Sequence, residues 1–256
     1  MPGLTLTRLK ARSKVDLLGA ALLLYAALHP APAAAAEFSI YPISLQFVPG
    51  VRAAVVGINN SDKRPIRFQL TLVEWTQNAK GEDVYVPSED LVFFPRQITV
   101  QAGQRAVARV GPKQGLPTTE KSYRLRVEEL PEPLPESSEP TLNFTITFAV
   151  PVFLGTPEAA PKADIAPLQL QQGKLTATVH NSGNAHFRIE SLEVLGSGGY
   201  TDKLAGWYLL PETSRDYVFA IPPDMCKTQK RLQLRVKVGE QFFDSALDID
   251  PTQCGI

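Results

Sequence analysis

Few residues of this 256-residue chain stand at spacings that could make or break bonds. Beyond residue 36 only two histidines remain, His180 and His186, six apart across an Asn181-Ser182-Gly183 turn. Such a pair could share a metal ion, but loop or surface histidines are the default reading. No GxSxG, P-loop, HExxH or CxxC pattern is present, and Ser and Asp are scattered singly. No nucleophile–base pair can be nominated, so no catalytic residue, metal site or cofactor is expected. The two cysteines, Cys226 and Cys254, have no CxxC partner and no histidine neighbour in sequence, which argues against a redox or metal role.

The first 36 residues read as an export signal. Arg8, Lys10, Arg12 and Lys14 precede the apolar run Leu17 to Leu28, and Ala34-Ala35-Ala36 offers small residues for cleavage. The apolar run is short for a membrane span, although a short N-terminal anchor is the alternative. An exported chain occupies an oxidising compartment. There Cys226 and Cys254 could form a disulfide, with two unpaired thiols as the alternative. The signal holds four of the 26 basic residues and one of the 26 acidic ones, leaving 22 against 25. That balance gives no electrostatic reason to expect nucleic acid or an anionic membrane as partner.

The elements that must position any working residue are strands. Ile66, Phe68, Leu70 and Leu72 alternate with polar residues, as do Leu142, Phe144, Ile146, Phe148 and Val150, and Leu232, Leu234, Val236 and Val238. Period two marks strands with one buried face. Turn signals such as Asn59-Asn60-Ser61-Asp62 and Ser197-Gly198-Gly199 separate the runs, which argues for β-sandwiches. Gly155 to Pro167 reads as a linker, dividing the exported chain into 37–154 and 168–256, each the size of one immunoglobulin-like sandwich. Both halves carry an Asn-Ser turn after an apolar strand (VVGINNS and TATVHNSG). The expected fold class is therefore all-β, with two immunoglobulin-like β-sandwich domains in tandem. Pro131 to Pro140, rich in proline and glutamate, cannot be a strand interior and is expected to be an exposed, flexible loop. The strand after it, Leu142 to Phe153, is a candidate edge strand.

The order of segments resembles one family. SIYPISLQF is followed by INNSDKRPIRFQLTLVEW, FFPRQITVQAGQRAVARV, EKSYRLRVEELP and LNFTITFAVPVFL; the second half adds TVHNSGNAHFRI and GWYLLPETSRDYVF. This pattern resembles the periplasmic pilus-assembly chaperones, the PapD-like family, and SYRLRVEELP and YLLPETSRDYVF are its most specific parts. The resemblance implies two domains set in an L shape and a chaperone that lends an edge strand to an unfinished pilin. The implied partners are pilus subunits and an outer-membrane usher, with self-association through the lent strand also open. Strand addition draws affinity from main-chain hydrogen bonds and specificity from alternate side chains. The resemblance implies Leu142, Phe144 and Ile146 as pocket-filling residues, with Phe148 and Val150 continuing the same face; the alternative is that these side chains face their own core.

The chain also departs from that family. An Arg and a Lys that anchor the subunit's carboxylate in better-known members fall on Ser44 and Pro151, and an interdomain Arg falls on Gly155. Arg124 is the candidate replacement anchor, with Arg126 on the same face and Arg109 a lesser candidate. The alternative for either is a solvated or structurally paired arginine. The missing pair also leaves room for a different class of protein, a structural or adhesive envelope protein of the same fold. Arg64-Pro65 lies where the family can carry a cis proline, and its isomer is open.

Overall fold

A computed structural model describes residues 37–131 and 144–255. The expected export signal, nearly all of the acidic proline segment and Leu142 lie outside them. Ten strands come first: β1 (Phe38–Tyr41), β2 (Leu45–Phe47), β3 (Ala54–Asn60), β4 (Ile66–Gln77), β5 (Asp83–Pro87), β6 (Leu91–Phe94), β7 (Gln97–Val100), β8 (Arg105–Pro112), β9 (Lys121–Glu129) and β10 (Thr147–Leu154). Then follow β11 (Ala163–Ile165), β12 (Gln169–Gln171), β13 (Lys174–Asn181), β14 (Phe187–Gly196), β15 (Thr201–Ala205), β16 (Tyr208–Leu209), β17 (Ser214–Ala220), β18 (Arg231–Val238) and β19 (Gln241–Asp248). A short helix, α1 (Pro223–Thr228), and a 3-10 turn (Pro251–Cys254) are the helical elements among the described residues.

The first sandwich packs a sheet of order β1-β3-β8-β6 against one of order β2-β10-β9-β4-β5, with β7 also on β4. The second packs β13, flanked by β11, β12 and β17, against β15-β14-β18-β19, with β16 on β14. The alternation read from sequence is the burial pattern. Ile66, Phe68, Leu70 and Leu72 face the first core with Ile58, Phe47 and Leu125; Leu232, Leu234 and Val236 face the second with Leu175, Phe219 and Leu192. On the scale of such sites, truncating Phe68 to alanine costs about 3–5 kcal/mol.

The two Asn-Ser turns are structural twins. Asn60 is buried, and its amide donates to the carbonyls of Arg64 and Val100 while its oxygen accepts from Asp62 N–H. Asn181 is buried too, donating to Ala185 and Leu209 carbonyls and accepting from Gly183 N–H. Each asparagine closes its turn and joins it to a neighbouring strand, which removes the penalty of burying main-chain groups without partners.

Two local features differ from the reading of sequence, and a third settles what that reading left open. The strand expected from Leu142 begins, among described residues, at Thr147; before it Ile146 keeps only one main-chain bond to Glu129, where β9 ends, and its own N–H turns to the Glu129 side chain. The expected linker contains β11, which pairs with β13 from Ala163↔Asn181 to Ile165↔Val179; three residues are too few to show a period. The cis peptide bonds are Tyr41–Pro42 and Phe94–Pro95, and Arg64–Pro65 is not one of them.

Candidate functional site

β10 has an uneven ladder. It pairs with β9 along its whole length, from Thr147↔Glu128 to Leu154↔Lys121. On its other side β2 runs parallel only at Val152, Phe153 and Leu154. Among the described residues, Thr147 to Pro151 therefore present an unpaired strand edge. Pro151 fits that placement, since proline cannot donate to a ladder and is tolerated at edges. Ahead of the edge stand Phe144, 81% exposed, and Ile146, partly exposed. Ile146 is held to β9 by main-chain and side-chain contacts with Glu129. Phe148, about as exposed as Ile146, touches Phe38 ring to ring at 5.5 Å. It thus stands at the border of its own core. Exposed bulky side chains beside an unpaired edge are an aggregation hazard unless a partner covers them.

The register places Arg124 in one row with Pro151 and Ser44, the two positions on which the resemblance puts the usual anchors. Arg124 pairs with Pro151, and Ser44 immediately precedes Leu45, which pairs with Val152. Ser44 is exposed and Pro151 buried, and neither side chain carries a charge. Arg124 is buried, its guanidinium 3.7 Å from the centre of the Trp75 ring and within 6 Å of Trp207 and Tyr208. Its Nη1 donates to the Ala149 carbonyl at 3.3 Å, while its Nε has no partner. Burial lowers the Arg124 pKa, and Tyr85, Asp83 and Tyr208 pull it back up; arginine keeps its proton throughout. Arg126, two residues on, pairs with Ala149 and is exposed. Arg109 lies on the outer face of the other sheet, beside Phe94 and Val55, away from this row.

Gly155 cannot supply an interdomain contact. A Cβ there would meet the Phe47 carbonyl at 2.8 Å. Other residues join the sandwiches. Trp75, on the outer face of β4, packs with Phe153, Tyr208 and Leu210. Gln77 uses its whole amide. It donates to the Tyr208 carbonyl and to Asp83, and it accepts from Leu210 N–H and the Thr213 hydroxyl, all within 3.1 Å. Asp83 also accepts from Trp207 Nε1 at 2.9 Å and from the Tyr85 hydroxyl. These junction residues were not singled out from sequence. Their one signal was the break in alternation after Leu72, where Trp75 falls on the opposite face from the core positions.

The remaining residues of interest are structural. Cys226 in α1 and Cys254 in the 3-10 turn are bonded and fully buried, so the disulfide forms. His180 Nδ1 contacts the Thr213 carbonyl and Ser214 Oγ, whereas His186 contacts Glu120. No group of three or more His, Cys, Asp or Glu among the described residues is arranged to hold a metal.

Residues 37–160 match the family model described as "Pili and flagellar-assembly chaperone, PapD N-terminal domain". Residues 37–160 thus form a domain of this PapD-like chaperone family, which is not a family of enzymes. Three solved structures share the fold. One is a CsuC-CsuE chaperone–tip subunit pre-assembly complex from Acinetobacter baumannii (20% identity, TM-score 0.60, covering 82% of this chain and 98% of that one). Another is a complex of Salmonella enterica SafA pilin with the SafB chaperone (16%, 0.57, 84% and 98%). The third is the E. coli chaperone DraB (15%, 0.54, 82% and 96%). No curated protein matches the chain in sequence.

Proposed function

We propose that this chain is a periplasmic chaperone that captures pilus subunits by donor-strand complementation and hands them to an outer-membrane usher. The observation that carries the reading is the half-unpaired β10, led by exposed Phe144 and Ile146. An incoming sheet edge finds unused main-chain groups along Thr147 to Pro151, and a pocketed groove finds large side chains at every second position. Burying a residue the size of Phe144 contributes about 1.5–3 kcal/mol, and each added main-chain hydrogen bond about 0.5–1.5 kcal/mol. Leu142 is assigned to the same set by its place in the alternation. Arg124 is assigned to the subunit's carboxylate, with Arg126 as the exposed second cation, since charge-assisted pairs suit that ligand.

An usher needs a surface that a captured subunit leaves free. The outer face of β1-β3-β8-β6 is the one we assign, with Tyr41, Val92, Phe94 and Val107 exposed beside Arg105 and Arg109. In the free protein, the β10 edge is also where two copies would pair.

The test is co-purification with a pilin from the same operon. Phe144→Glu or Ile146→Glu should abolish recovery of the subunit while leaving the circular dichroism spectrum and melting midpoint of the free protein unchanged. Unaltered recovery overturns the donor assignment. The lack of charge at Ser44 and Pro151 favours a second reading, a structural or adhesive envelope protein with the same fold. That reading expects no subunit to co-purify with the unmutated chain.

A further inference from the structure

β10 is free at one end and gripped at the other. Its last residues lie between β9 and β2, and the outer face of that end is covered by the second sandwich through Phe153, which is buried. The His186 ring lies on the Phe153 ring, centroids 3.5 Å apart and planes within 8°. His186 is the residue before β14. Its Nδ1 is 2.6 Å from Glu120 Oε1, which also accepts the His186 main-chain N–H at 3.0 Å. The Glu120 N–H donates to the Asn184 carbonyl at 2.9 Å. Glu120 thus grips the turn before β14 by three bonds, and its side chain is 1% exposed. It is also the residue immediately before β9, where Lys121 and Ser122 pair with Leu154 and Phe153.

A strand with one free edge and a proline midway has a weakened ladder. Slipping by one residue would turn every bulky side chain to the wrong face. We infer that Glu120 and His186 form a clasp by which the second sandwich holds the register of β10. The carboxylate fixes the imidazole plane, and the imidazole presses on Phe153. Both are positioning residues and neither touches the subunit. The use of this register in capture rests on the donor-strand reading. The clasp itself is a property of the free protein.

The experiment is hydrogen–deuterium exchange of the free, full chain, resolved by peptide. Glu120→Ala should speed exchange of Thr147–Leu154 roughly tenfold while leaving β13 and β17 within about twofold of the unmutated protein. Glu120→Gln keeps an oxygen that accepts both bonds and should stay close to the unmutated protein. His186→Phe keeps a flat ring without the Nδ1 contact and should fall between the two, which preserves the test if Glu120→Ala does not fold. Unchanged exchange in β10, or acceleration spread evenly over both sandwiches, overturns the clasp. Accelerated β10 exchange with undiminished pilin capture upholds the clasp and counts against β10 as the donor strand.

Discussion

The guanidinium of Arg124 lies 3.7 Å from the centre of the Trp75 ring, on the face of the first sandwich that the second sandwich covers. Arg124 lies on β9 and Trp75 on β4, and both are covered by the chain segment around Tyr208. A buried cation over an indole face contributes about 2 kcal/mol. The same charge lies opposite Pro151 in the ladder of β9 and β10. One residue therefore serves the seam and is proposed to serve the ligand.

Arg124→Ala should weaken pilin capture by on the order of tenfold to a hundredfold, the value of a hydrogen bond to a charged group. Lys237→Ala, which removes a surface pair with Glu190 in the second sandwich, should leave capture unchanged. Arg124→Lys keeps the charge but loses the flat, forked donor, so it should recover only part of the loss. Binding titrations of a purified subunit check this, and equal effects of the Arg124 and Lys237 alanine variants would sink the anchor assignment.

Gln77→Ala should destabilise the seam. Its amide serves four partners, and removing it leaves Leu210 N–H and the Tyr208 carbonyl without that bond. A cost of about 1–3 kcal/mol is expected per buried polar group left unpaired. Denaturant unfolding followed by tryptophan fluorescence is suited to the measurement, because Trp75 and Trp207 both lie at the seam.

Removing the Cys226–Cys254 bond by the double alanine substitution should destabilise the chain by about 3–4 kcal/mol, from the entropy of a loop of this length. The sequence separation is 28 residues, and the bond ties α1 to the C-terminal 3-10 turn. Thermal melts with and without reductant should show the same loss in the unmutated protein and none in the variant.

Asp90 gives a pH prediction. Its carboxylate accepts from the Tyr123 hydroxyl at 2.7 Å and from Lys121 Nζ at 3.1 Å. Those hydrogen bonds, Tyr123 first, hold its pKa below the ordinary carboxylate value. Burial pushes the Tyr123 hydroxyl far up, so it remains a donor. The folded state therefore favours charged Asp90. Its stabilisation is complete above the ordinary value of about 4 and is lost as pH falls through the lowered folded value. Asp90→Asn should lower the melting midpoint at neutral pH, and the two proteins should converge in acid. A gap that widens below pH 4 would contradict the sign.

Val107→Glu should leave subunit capture intact and abolish recovery of the chaperone–subunit complex on an immobilised usher. Val107 lies in the middle of the outer face of the first sheet, 45% exposed and clear of the β10 edge. Loss of both activities would mean that the fold, and not a docking face, had been damaged.

Much of the frame was legible in the chain itself. Period-two alternation placed Phe68, Leu70, Leu234 and Val236 in two cores, because a strand's faces are set by residue parity. The matching Asn-Ser turns were a weaker sign, and each asparagine closes its own turn with local bonds. The order of segments resembled a strand-lending chaperone family, and that resemblance, more than the alternation, singled out Phe144 and Ile146. Tertiary structure alone decided how the sandwiches meet. The contacts of Gln77 with Leu210, Glu120 with His186, and Arg124 with Trp207 and Tyr208 bring together residues separated by tens of positions or more than a hundred. No local period announces such pairs, because nothing in the neighbouring sequence sets which outer faces will touch. The same holds for the edge of β10. Alternation shows which side chains are large, but only the short reach of β2 leaves Thr147 to Pro151 unpaired.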